Sequence, residues 1–83
     1  MDYDPLKCFG RRLVELRRER GWSQERLALE SGLARSYLGG VERGQRNIAL
    51  YNICVLAEAL RVAPGAMLTF DDACEMRSEA RPH

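Results

Sequence analysis

The apolar residues on either side of Gly32 constrain this chain most. Leu27 and Ala28 precede the glycine at helical spacing. Leu33, Tyr37, Leu38 and Val41 follow it at helical spacing in a new phase. The pattern predicts two short helices, over 23–31 and 35–43, joined by a tight turn. Ser23 is a good N-cap for the first, with Gln24 and Glu25 in its opening turn. Gly32 stops that helix, and Gly44 closes the second. Helices this short are not stable alone, so both must bury their apolar faces in a larger helical assembly.

The flanking sequence supplies that assembly. Leu6, Phe9, Leu13 and Leu16 form a helical stripe that predicts a helix over 5–20, with Pro5 suited to its first turn and Gly21 to its end. Arg11, Arg12, Arg17 and Arg18 lie mostly off the stripe and read as a solvated face. Leu50, Ile53, Leu56, Ala57 and Leu60 predict a helix over 50–61, and Pro64 opens a short fifth helix carrying Met67 and Leu68. Residues 71–83 are polar and read as a tail with a turn or two of helix, or as disordered chain. The expected fold is all-α: one compact bundle of about five short helices over residues 5–70. Its central pair, over 23 to 43, has the geometry of a helix-turn-helix, in which the second helix is offered to the DNA major groove. A chain of 83 residues builds only a small core, so oligomerisation is the expected source of further stability.

Charge is informative through its distribution. The net charge is +1, but residues 1–46 carry ten basic and seven acidic side chains, and residues 47–83 carry three and five. Twelve of the thirteen basic residues are arginine, the side chain best shaped for phosphate and guanine. Cys8, Cys54 and Cys74 are odd in number, far apart and without a CxxC pair, and the only histidine is His83. These features argue against a disulfide framework, a zinc site or any other metal or cofactor. Cys8 and Cys54 lie in apolar-periodic stretches and read as buried free thiols. No catalytic signature is present, so an enzyme is not expected. There is no apolar run of bilayer length and no leader-like N-terminus, which with three unpaired thiols implies a cytoplasmic setting.

The stretch from Gly21 to Val62 resembles the phage-repressor or Cro-like (XRE-type) helix-turn-helix family, with its lambda-repressor-like domain. The match rests on Ser23-Gln24-Glu25, Leu27-Ala28, Gly32-Leu33, Leu38, Val41-Glu42-Arg43-Gly44 and Leu56-Ala57 to Leu60, and it extends over about 6 to 68. Arg35-Ser36-Tyr37, Arg46-Asn47-Ile48 and Asn52-Ile53 are similar to the pattern of controller proteins of restriction–modification systems. The resemblance implies a transcriptional regulator that binds a palindromic DNA operator as a homodimer, with RNA polymerase as a further candidate partner. An antitoxin or protein-interaction module on the same fold is the alternative.

Roles follow for individual residues. Gln24, at the N-terminus of the first helix of the pair, is placed to hold a backbone phosphate. Arg35 and Ser36 open the recognition helix, where Arg35 can pair with guanine O6 and N7. Tyr37 either reaches the DNA backbone or sits half-buried in the core. Gly40 falls one turn after Ser36, on the groove-facing surface. Arg43, Arg46 and Asn47 follow as phosphate contacts. Glu42 reads as structural and Trp22 as packing. Two features depart from the family: Ala34 stands at the N-cap of the recognition helix, and Gly39-Gly40 interrupts it. Met67, Leu68 and Phe70 are the expected dimer interface, with Leu60 and Val62 finishing the core.

Overall fold

The computed structural model describes residues 2–70 and residue 74. Residues 2–70 form four α-helices: α1 (Pro5–Glu19), α2 (Gln24–Ser31), α3 (Arg35–Glu42) and α4 (Leu50–Leu60). No strand occurs among the described residues. The expected fifth helix is a 3-10 segment, Pro64–Leu68. It packs against α1 and α4 and places Met67 in the core.

Each boundary has a local cause. The Asp4 carboxylate accepts from the Leu6 and Lys7 amides at 2.9 and 3.4 Å and starts α1. Ser23 Oγ accepts from the Arg26 amide at 3.0 Å and starts α2. Gly32 ends α2 with φ 78°, a left-handed conformation open to glycine at little cost, and its amide donates to the Ala28 carbonyl at 2.8 Å. α3 then begins after a three-residue connection. Neither Ala34 nor Ala49 provides a side-chain cap for the helix that follows it.

The core is one cluster: Phe9, Leu13 and Leu16 of α1, Leu27 of α2, Leu38 and Val41 of α3, Ile53, Leu56, Ala57 and Leu60 of α4, and Met67. Two expectations fail here. Leu50 is 70% exposed, because the first turn of α4 projects beyond the core that Ile53 and Leu56 enter. Met67, expected at an interface, is fully buried. The Arg12 Nε donates to the Ala66 carbonyl at 2.8 Å, which pins the turn against α1 and seats the methionine inside. Between α1 and α3 the backbones meet closely. A Cβ on Gly10 would lie 2.5 Å from the Glu42 carbonyl oxygen and 2.7 Å from that of Val41.

The cysteines also differ from expectation. Cys8 and Cys74 form a disulfide, with 6.3 Å between their Cα atoms. Sequence separation says nothing of distance in space: Cys8, in the first turn of α1, lies beside Cys74 although they are 66 residues apart. Cys54, expected to be buried, is exposed on α4. Among the described residues no helix is long and apolar enough to cross a membrane, and no group of His, Cys, Asp or Glu could hold a metal ion. The expectation of a short helix or disorder over 71–83 lies outside the described residues, Cys74 apart.

Candidate nucleic-acid interface

The exposed end of α3 carries Arg35 and Ser36, followed directly by half-buried Tyr37. Behind them runs a connected polar network. Arg35 Nη1 donates to Gln24 Oε1 at 3.4 Å, and Gln24 Nε2 donates to Glu42 Oε1 at 2.7 Å. Glu42 in turn accepts a two-pronged pair from Arg17, Nε to Oε2 at 2.7 Å and Nη2 to Oε1 at 3.1 Å. The remaining Arg17 Nη1 donates to the Trp22 carbonyl at 2.8 Å. The side chains of Arg17 and Glu42 are only 11% and 5% exposed.

This network assigns physical work to each member. Gln24 uses both ends of its amide, so the α2 N-terminus, the start of α3 and the end of α3 are held in one register. Glu42 is structural, and its charge is matched inside the fold. It is the only acid between residues 33 and 49, a segment that also carries Arg35, Arg43 and Arg46. With Glu42 paired inward, that surface is left with an excess of positive charge, which suits a polyanion. Arg17 was missed in the sequence because it lies off the apolar stripe. An internal acid requires a buried cation, and that requirement was the available signal.

Arg46 extends along the molecule's surface, its guanidinium carbon 5.9 Å from the centre of the Tyr37 ring. A Cβ on Gly40 would fall 2.9 Å from Arg46 Cγ. Gly40 is therefore buried beneath Arg46, not on the exposed surface expected for it. Gly39 is buried as well, with room for a Cβ limited by Arg43 Nη1 at 3.1 Å. Gly40 thus lets the Arg46 stem lie flat against α3, and Gly39 makes room for the Arg43 guanidinium. Arg43, capping α3, donates from Nε to Gln45 Oε1 at 3.2 Å, and Arg46 and Asn47 are exposed. The Tyr37 hydroxyl accepts from Asn52 Nδ2 at 3.3 Å, which links α3 to α4 while the ring packs against the core. Trp22 packs against the core too, with the Arg20 and Arg26 guanidinium carbons 5.2 and 5.1 Å from its ring centre.

Of the expected interface residues, Leu68 is half exposed and Phe70 rests partly buried against the core. The larger exposed apolar side chains are Leu29, Leu50, Tyr51 and Leu68.

The Helix-turn-helix family model matches residues 13–66, most of the chain. The chain belongs to the helix-turn-helix family. Among its curated relatives is the control protein C.BamHI of Bacillus amyloliquefaciens, 41% identical over 63 residues, which are 75% of this chain and 78% of that one. Among solved structures, the restriction–modification controller protein C.AhdI of Aeromonas hydrophila is 58% identical with a TM-score of 0.76, covering 78% of this chain and 98% of its own. The controller protein C.Esp1396I, solved as a tetramer with its natural 35-base-pair operator, is 28% identical with a TM-score of 0.70 over 89% of this chain and 90% of that one. The helix-turn-helix unit is thus the pair α2 and α3, and the Arg17–Glu42–Gln24 network lies at its joint.

Proposed function

We propose that this protein is a sequence-specific DNA-binding regulator of transcription, of the restriction–modification controller kind, which binds a palindromic operator as a homodimer. The observation that carries the reading is the exposed α3 N-terminus, with Arg35 anchored through Gln24 to a buried ion pair, in a chain so similar to controller proteins. Arg35 and Ser36 contact base edges. Gln24 holds a phosphate at the α2 N-terminus, Arg43, Arg46 and Asn47 hold phosphates beyond α3, and Tyr37 lines the backbone path. Its work is binding, and it acts in the cytoplasm, with RNA polymerase as the partner it meets at the promoter.

A two-fold dimer offers two recognition helices to half-sites about one helical turn apart. Since Met67 is inside the core, the apolar surface available to a second copy is the outward side of α4, with Leu50, Tyr51 and exposed Cys54, together with Leu68.

The test is a titration of labelled duplex from the region upstream of the protein's own gene. Affinity is expected to fall by about 10³-fold or more between roughly 50 and 200 mM salt, and to fall when the half-sites are scrambled. Binding that ignored both salt and sequence would overturn the reading and favour a protein-interaction role.

A further inference from the structure

A cleft of about 360 Å³ opens between the start of α1 and the end of α3, and the Cys8–Cys74 disulfide forms part of its wall. Lys7 and Arg11 flank the sulfurs, and Arg43 closes the far side. Arg11 Nη2 lies 2.9 Å from Cys74 Sγ and 4.0 Å from Cys8 Sγ. The other ionisable groups facing the cleft are Tyr3, Asp4 and Glu42. Asp4 is engaged with the α1 amides, and Glu42 with Arg17. Among the described residues, the working charge beside the sulfurs is therefore positive. The operator-binding role uses Arg43 of this set but not the sulfurs, Lys7 or Arg11.

We propose that this cleft is a thiol–disulfide exchange site for a small anionic thiol of the glutathione class, with Arg11 as the positioning residue that steadies the Cys74 thiolate. The nearer sulfur to the guanidinium is the better leaving group. The incoming thiolate attacks Cys8 Sγ, and the electron pair of the protein's S–S bond passes to Cys74 Sγ beside Arg11. A mixed disulfide remains on Cys8. A second thiolate attacks the small molecule's sulfur in that mixed disulfide and expels the Cys8 thiolate, and both cysteines take protons from solvent as the local equilibrium allows. Two small thiols become one oxidised dimer, and the protein disulfide takes up their two electrons. The reverse sequence restores the bond. Lys7 and Arg43 attract the carboxylates of such a thiol. In a cytoplasmic setting a disulfide is characteristically transient and redox-sensing; Cys8 and Cys74 are 4% and 2% exposed, so the small thiol reaches the bond only through the cleft.

The experiment uses the full chain with Cys54→Ser, so that no third thiol competes, and reads sulfur chemistry without DNA. The air-oxidised protein is expected to resist alkylation. Glutathione buffers of graded ratio should open the bond reversibly in the folded state, with a glutathione adduct on Cys8 by mass spectrometry. In the reduced protein, Cys74 alkylation should show a pH midpoint below that of an ordinary thiol. Arg11→Gln should raise that midpoint and slow opening several-fold with the oxidised form's Tm unchanged, and Arg11→Lys should recover part of both effects. Three results each overturn the proposal: cysteines that alkylate freely after oxidation, a bond that opens only in denaturant, or an alkylation profile that Arg11→Gln leaves in place.

Discussion

Arg35 and Arg46 both present guanidinium groups near α3, but their settings differ. Arg35 stands on the first turn, tethered to Gln24, whereas Arg46 lies over Gly40 and Tyr37. Arg35→Ala is expected to cost about 1–3 kcal/mol on the cognate operator and little on unrelated DNA. Arg46→Ala should weaken binding to every sequence and lower the salt slope by about one. Anisotropy titrations on cognate and scrambled duplexes separate the two, and identical behaviour would rule out the division. Deeper in the molecule, Glu42→Ala strands the Arg17 guanidinium in the interior and should cost about 3–5 kcal/mol in urea unfolding. Arg17→Met combined with Glu42→Leu should recover much of that loss, because the cost lies in the uncompensated charge. Additive losses in the double mutant would contradict the pair. That Arg35, Ser36, Gln24 and Glu42 sit together on the helix-turn-helix, with Glu42 structural, was legible in the sequence. Their connection was not, because a hydrogen-bonded chain across α1, α2 and α3 leaves no periodic trace.

At the scale of elements, sequence periodicity located all four α-helices to within a residue at each end. Apolar spacing and caps are local causes, and local causes are visible in a string of letters. Direction around an axis is less so: Leu50 shares the spacing of the buried α4 stripe yet points outward. Gly10 was passed over for a related reason, since only the approach of the Glu42 and Val41 carbonyls shows why α1 lacks a side chain there. α3 is the weakest element by composition, with Gly39 and Gly40 inside it and no side-chain cap at Ala34. Ala34→Ser supplies an acceptor for the free amides of the first turn. It should stabilise the fold by about 0.5–1 kcal/mol, and thermal unfolding reads the gain. An unchanged Tm would mean that the α3 amides already have partners as good as a serine hydroxyl.

For the whole molecule, sequence reasoning reached one small core and the need for further stabilisation, and it set aside the disulfide that joins residues 8 and 74. An odd cysteine count cannot reveal which two side chains meet when the chain doubles back. Met67 lies inside the core and not on the expected dimer surface, so the proposed interface moves to the outer side of α4. Tyr51 is 78% exposed and sits one turn before Cys54 and half-buried Val55, so an apolar strip runs along the outside of the helix. Tyrosine is the type of side chain that dominates binding at such contacts, where truncation commonly costs about 2 kcal/mol or more. Tyr51→Glu places a charge on the strip while touching nothing in the core. Sedimentation should show the dimer dissociating at roughly 30-fold higher protein concentration than before, the same energy expressed as an equilibrium constant. Far-UV circular dichroism should stay unchanged, since the fold does not use this side chain. Operator binding should become steeper in protein concentration, because two monomers must then assemble on the DNA. A variant that stays dimeric at the original concentration would move the interface away from α4.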